Sequence, residues 1–78
     1  MATYYCGVLY GDTLDTATYG MGSFSFCTID GRLSLAKAKE IARQHAISEC
    51  KFRNKKYVGF GLTKGINFNC LDKAKRYS

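Results

Sequence analysis

The sequence predicts an α+β domain, with a single helix packed on one face of a small four-stranded, mainly antiparallel sheet in the order β-β-α-β-β. Three observations carry this. Aromatic and β-branched residues alternate with polar or small ones in the first third of the chain, and alternate again from Tyr57 to Cys70. Between them, from Leu35 to about Ile47, the apolar period changes from two to about three and a half. At 78 residues there is room for one domain spanning 1–78 and no more.

Thr3 to Tyr10 is the first strand, with Tyr4, Cys6, Val8 and Tyr10 on one side and Tyr5, Gly7 and Leu9 on the other. The polar stretch from Gly11 to Ala17 has little to bury, and the loop over about 11–22 is expected to be mobile. Thr18 to Ile29 is the second strand, bent at Gly20 and Gly22, and it forms a hairpin with the first. Asp30-Gly31 breaks that strand, and Ser34 caps the helix.

On the helix, Leu35, Ala38, Ile41, Ala42, His45 and Ala46 share one face, while Lys37, Lys39, Glu40, Arg43 and Gln44 occupy the rest. Small alanines let such a helix lie close to a sheet. Lys37 and Lys39 near its start oppose the helix dipole by roughly 0.3 kcal/mol each, a hint that these charges serve something besides local stability. Tyr57–Leu62 and Ile66–Cys70 then alternate on either side of Thr63-Lys64-Gly65, which predicts a tight hairpin with Gly at the turn. The basic tail, about 72–78, is expected to fray.

The expected core is Val8, Phe24, Phe26, Leu35, Ile41, Val58, Phe60, Leu62, Ile66 and Phe68. A core of that size gives a net stability of only a few kcal/mol, so the chain is expected to be a monomer or a homodimer. The opposite sheet face, with Tyr5, Gly7, Leu9, Ser23, Ser25, Ile29, Tyr57, Gly59, Gly61, Asn67, Asn69 and Leu71, is flat, mildly polar and left to water.

Composition excludes several classes. The hydrophobic fraction of 46% is too high for a disordered tail, and no apolar run is long enough to span a bilayer. The start, Met1-Ala2-Thr3-Tyr4-Tyr5, lacks the layout of a signal peptide, so a cytoplasmic protein without membrane association is expected. Cys6, Cys27, Cys50 and Cys70 are spaced about twenty residues apart with no C-x-x-C pair, which predicts reduced thiols and no metal site. On these phases Cys6 points inward and Cys27 outward, which opposes a bridge between them.

The charge is unevenly spread. Residues 1–31 carry Asp12, Asp15 and Asp30 and no Lys or Arg, a charge of −3, while residues 32–78 carry all 12 basic groups against Glu40, Glu49 and Asp72, a charge of +9. Catalytic chemistry finds little footing. His45 is a core or boundary histidine, Asp12 and Asp15 are turn formers beside Thr13 and Thr16, and no acid, base and orienter emerge together, so no enzyme activity and no cofactor are expected. Gly20-Met21-Gly22 and Gly59-Phe60-Gly61 do not lead from a strand into a helix and fail as phosphate loops.

Lys56-Tyr57-Val58-Gly59-Phe60-Gly61-Leu62 resembles the aromatic RNP1 strand of RNA-recognition-motif domains over seven residues. It departs from that pattern at Leu62 and in the place of its basic residue. The phase turns Phe60 inward, leaving Tyr5 and Tyr57 as the aromatics of the open face. The strongest functional feature is the basic set Lys51, Arg53, Lys55, Lys56, Lys64, Lys73, Lys75 and Arg76, much of it expected to converge near the ends of the last hairpin.

As a whole, a very short single domain with Ser34-Leu35-Ala36-Lys37-Ala38-Lys39-Glu40-Ile41-Ala42 as its one helix resembles the small proteins of bacteriophages and mobile elements, including anti-CRISPR-type inhibitors. That resemblance implies stoichiometric docking on a host protein or nucleoprotein complex, with no cofactor. The expected function is therefore a non-enzymatic inhibitor that uses its basic second half, with Tyr5 and Tyr57 beside it. The alternatives are direct binding of RNA or single-stranded DNA, with those tyrosines stacking bases and the lysines following phosphates, and a structural subunit assembling through a sheet edge.

Overall fold

The computed structural model describes residues 3–20 and 23–78. Its strands are β1 (Thr3–Tyr10), β2 (Thr18–Tyr19), β3 (Phe26–Asp30), β4 (Gly59–Gly65) and β5 (Lys75–Tyr77), with one helix, α1 (Leu35–Phe52), and two 3₁₀ segments at Ser23–Ser25 and Phe68–Lys73. All pairings are antiparallel: β1 sits between β4 on one side and both β2 and β3 on the other, and β5 pairs the far edge of β4. The α+β class and the single helix hold. The count is five strands instead of four, and the order along the sheet is not that of two simple hairpins.

The second strand is split. Leu9 pairs Tyr19 whereas Gly7 pairs Phe26, so two steps along β1 are matched by seven along the return arm. An excursion of five extra residues therefore interrupts this arm between Tyr19 and Phe26. The bend expected at Gly20 falls there; Met21 and Gly22 lie outside the described residues.

An odd offset has a simple consequence, because side chains alternate faces with a period of two. Phe26 turns away from the helix, and Cys27 and Ile29 turn toward it. The expected phase of this arm is thus corrected: Cys27 shares the face of Cys6, its direct partner across the strands.

Under α1 the sheet presents large side chains, Tyr4, Val8, Ile29, Phe60 and Leu62, together with Cys6. The helix answers with small ones, Ala38, Ala42, Ala46 and Cys50, a strict four-residue stripe that allows close approach. Leu35 and Ile41, expected in the core, fall off this stripe and are 51% and 38% exposed. Ser34 caps the helix as expected, its hydroxyl accepting from the Lys37 N–H at 3.2 Å. At this end Tyr4 donates to the Leu33 carbonyl, 3.1 Å, fixing the connection to β1.

The face expected to meet water is covered. Gly7 and Gly61 are direct partners across β1 and β4 and leave a shallow groove, into which the Tyr19 ring lies flat enough that a Cβ on Gly7 would stand 2.6 Å from its Cδ1. The Tyr19 hydroxyl donates to the Leu71 carbonyl at 2.7 Å. Phe26 and Phe68 continue the layer edge to face at 5.6 Å, and Tyr5 meets Phe68 at 4.9 Å. Leu9 and Leu71 are fully enclosed beneath it. The fold therefore has three layers, a helix, a sheet and a thin aromatic cover.

The cover exists because the predicted last hairpin does not form. Asn67 diverts the chain: its side chain accepts from the Asn69 N–H at 2.9 Å, and its carbonyl accepts from Cys70, so Phe68–Lys73 winds as 3₁₀ helix. Strand β4 runs through Thr63-Lys64-Gly65 without turning, Ile66 is 86% exposed, and the strand returning beside β4 is Lys75–Tyr77, part of the segment expected to fray. The core is corrected accordingly. Val8, Phe60 and Leu62 are buried, Phe26 and Val58 are half-buried, and Phe24 and Phe68 are exposed.

The Gly7–Gly61 groove sets a stability test. Gly61→Ala is expected to lower unfolding free energy by about 1–3 kcal/mol through overpacking against Tyr19, and Tyr19→Phe by about 1 kcal/mol through the lost hydroxyl bond. Urea midpoints unchanged in both variants would mean that the ring does not seat in the groove.

Candidate functional site

The run Glu49-Cys50-Lys51-Phe52-Arg53-Asn54-Lys55-Lys56 ends the helix and sets four cations close together. Asn54 adopts the left-handed conformation, φ 57°, and two reversed main-chain bonds close the end: Lys55 N–H to Cys50 C=O at 2.8 Å and Asn54 N–H to Lys51 C=O at 3.2 Å. This Schellman arrangement satisfies carbonyls that a helix end leaves free, and it holds the direction in which Lys55 and Lys56 leave. Arg53 makes an ion pair with Glu49 one turn back, Nε to Oε2 3.3 Å. Among the described residues the only other ion pair is Arg32 with Asp30, at the opposite end of the sheet, so Lys51, Lys55 and Lys56 stand unopposed.

Two depressions flank this helix end. The first, about 360 Å³, is lined by Tyr10, Thr18, Tyr19, Gly20, Ser25, Arg53 and Lys55. The return-arm excursion builds its wall, and it encloses two hydroxyls without a hydrogen-bond partner, those of Tyr10 and of the fully buried Ser25. The second, about 370 Å³, lies between Phe24 and Phe52 over Ser48 and Glu49. These two rings are 68% and 85% exposed, which marks them as surface groups.

The other predicted contact residues are dispersed instead of converging. Lys64 lies over the Tyr4 ring at 4.8 Å, near the start of the helix, and Lys73 ends the 3₁₀ segment. Lys75 on β5 shares the Tyr77 ring with Lys39 of the helix, at 5.9 and 4.4 Å, and Arg43 beside them donates to the Ser78 carbonyl at 3.3 Å. Lys39 and Arg43 thus form a second basic flank with Lys75. The sequence places them only on the solvent side of the helix, with nothing to announce β5 as their neighbour.

Arg76 is turned inward. Its Nη1 donates to the carbonyls of Leu14 (2.8 Å), Asp15 (3.2 Å) and Ala17 (2.7 Å), and the guanidinium lies over the Tyr19 ring at 6.0 Å. Thr13 and Thr16 also bond one another at 2.7 Å, so hydrogen bonds bridge residues 13–17 within the loop. Burial pushes the Tyr19 phenol up, with Arg76 acting in the opposite sense.

The tyrosines do not share a face. Tyr5 belongs to the aromatic cover and donates to the Ile66 carbonyl at 2.9 Å. Tyr57 packs on the helix side against the main core, where burial raises its phenol and the nearby Arg43 acts in the opposite sense. Phe60 is fully enclosed, as its inward phase requires.

His45 is half-buried with its Nε2 closed off from water and unpartnered. Among the described residues no three His, Cys, Asp or Glu side chains gather as a metal set, and no helix is long and apolar enough to cross a membrane. Comparison with protein families, with curated proteins and with solved structures finds no match to this chain.

The inward role of Arg76 separates it from the rest of the basic set. Arg76→Ala is expected to cost about 1–3 kcal/mol and to raise amide exchange across 13–17, while Lys73→Ala stays within about 0.5 kcal/mol. Equal, small effects of the two substitutions would show that the three carbonyl bonds hold nothing.

Proposed function

We propose that the chain is a non-enzymatic binding protein of the inhibitor type that docks through the C-terminal end of its helix on a host nucleic-acid-handling complex. The observation that carries this is the pairing of unopposed Lys51, Lys55 and Lys56 at the helix end with the exposed rings of Phe52 on that end and Phe24 across the depression beside it. Exposed aromatics beside cations are the usual anchors of a protein interface: the rings fill pockets, and the charges steer encounter and set register. A surface that normally holds nucleic acid is basic where it meets phosphate, so the acidic patch matching these lysines lies on another part of such a complex.

Direct single-strand binding is the weaker reading. It calls for displayed aromatic faces on which bases stack, and Tyr5 and Tyr57 are engaged on opposite sides of the sheet. The edge-assembly reading has short edges to work with: β5 has three residues and carries Lys75 and Arg76, and β3 has five.

The experiment is capture from host lysate on the tagged chain, with and without nuclease, beside two variants. A specific protein complex should remain after nuclease treatment. Phe52→Ser should weaken its binding at least tenfold, and the pair Lys55→Glu, Lys56→Glu should slow association and flatten its salt dependence. If only nucleic acid is recovered, or if both variants bind as the parent does, this docking mode is wrong.

A further inference from the structure

The excursion in the return arm brings two thiols together that an unbroken hairpin would keep apart. Cys6 and Cys27 are direct partners across β1 and β3, and the odd offset puts both on the helix side of the sheet. The Gly20 N–H donates to the Val8 carbonyl at 3.0 Å, so the even-numbered residues of β1 present their main-chain groups to the return arm. Cys6 and Cys27 are therefore a hydrogen-bonded pair, whose Cα atoms in antiparallel sheet stand about 5.5 Å apart. That Cα separation lies inside the roughly 4.4–6.8 Å that a disulfide spans, and closing the bridge draws the Cβ atoms in from about 5.5 Å to about 4 Å, a strain that makes the bond more reducible. Both thiols are free.

Access differs between them. Cys6 is fully enclosed, while Cys27 is half-buried on a strand that pairs only with β1 and so forms an edge of the sheet. Cys50 is enclosed in the same core on the helix, and Cys70 lies against Gly65 at the end of β4. Only Cys6 has Cys27 as its cross-strand partner.

We propose that Cys6 and Cys27 are a reversible modification site, a cross-strand dithiol that a small hydroperoxide converts to a disulfide. Cys27, the accessible thiol, attacks as thiolate. Its sulfur bonds to the terminal oxygen of the hydroperoxide, the O–O bond breaks, and the leaving oxyanion takes up the proton that Cys27 released. Cys27 is then a sulfenic acid. The Cys6 sulfur attacks it, the S–O bond breaks, the S–S bond forms, and the departing hydroxide leaves as water with the Cys6 proton. The two thiols together lose two electrons and two protons to one equivalent of hydroperoxide, and an external dithiol reverses the change by exchange.

The thiols are suited to these separate parts. The neighbouring Cys27 sulfur, together with burial, pushes the Cys6 thiol well above an ordinary thiol. The Cys6 thiol beside it holds Cys27 below its ordinary value, and Cys27 is also the thiol that a peroxide can reach. Oxidation would tie β3 covalently to β1 beside the excursion that builds the first depression.

The test uses the full chain, purified reduced, freed of reductant and treated with equimolar hydrogen peroxide. It is then denatured, alkylated with N-ethylmaleimide and analysed by intact mass and peptide mapping. Of four cysteines, two should escape alkylation, with one linked peptide joining Cys6 to Cys27, and dithiothreitol should restore all four. Cys6→Ala should leave a sulfenic acid on Cys27 that dimedone traps, and Cys27→Ser should abolish the link. The double variant Cys50→Ala, Cys70→Ala leaves the pair untouched and should react as the parent does, which keeps the result independent of how well Cys6→Ala folds. Four alkylated cysteines after peroxide, a Cys6–Cys50 link or a link between molecules through Cys70 would each overturn the assignment. None of these readouts depends on the docking partner.

Discussion

Five extra residues between Tyr19 and Phe26 decide which face each side chain of the returning strand takes. An even insertion would have left the return arm in the phase of a plain hairpin, with Phe24 and Phe26 beneath the helix and Cys27 outside. The odd one sends Ile29 into the core, Phe26 into the aromatic cover and Cys27 against Cys6. It also leaves Phe24 in solvent and closes Ser25 into the wall of a depression. The exposed Phe24 ring beside the helix end and the dithiol are thus two products of one register event.

The paired glycines carry the next level of consequence. Without Cβ atoms at Gly7 and Gly61 the sheet admits the Tyr19 ring, and that ring offers its hydroxyl to Leu71 and its face to Arg76. Arg76 in turn gathers three carbonyls of the segment after β1. The edge strand β5 is therefore held through its side chains as well as through its short ladder with β4. A chain with so few large core residues gains a second buried layer in this way, which eases the demand on a single small core.

How far the sequence discloses this follows from what kind of signal each feature leaves. Ser34 before a helical period is a local signature with one meaning, so the helix and its cap are legible. Helical periodicity alone includes Leu35 and Ile41 in the apolar face, whereas the close approach of helix to sheet selects Ala38, Ala42 and Ala46 and leaves both outside. Alternation at Ile66–Cys70 looked like a strand, but Asn67 offers its own side chain to the backbone and wins locally. The odd excursion leaves no periodic trace at all, and the phase of the strand that follows it, Phe26–Asp30, is lost with it. Of the basic set, Lys51, Arg53, Lys55 and Lys56 are together because they are adjacent in the chain. Lys64, Lys75 and Arg76 depend on strand pairings that the sequence does not reveal, and the exposure of Phe24 depends on a register that it does not reveal either.

The helix charges close the account of what is local and what is tertiary. Cations at a helix C-terminus meet the negative end of its dipole, each gaining about 0.3–1 kcal/mol when exposed. Lys51 and the residues after it need no further reason to be tolerated there. Lys37 and Lys39 sit at the wrong end by the same rule. For Lys39 the structure supplies the compensation: its ammonium stands 4.4 Å from the Tyr77 ring, an attraction of about 0.5–1 kcal/mol at an exposed site, which offsets the dipole term and helps hold β5 against the helix. Lys37 has no such partner among the described contacts. The unfavourable position of Lys39 therefore reports a tertiary contact with the last strand, while the favourable position of the C-terminal cations leaves them free to meet something outside the chain.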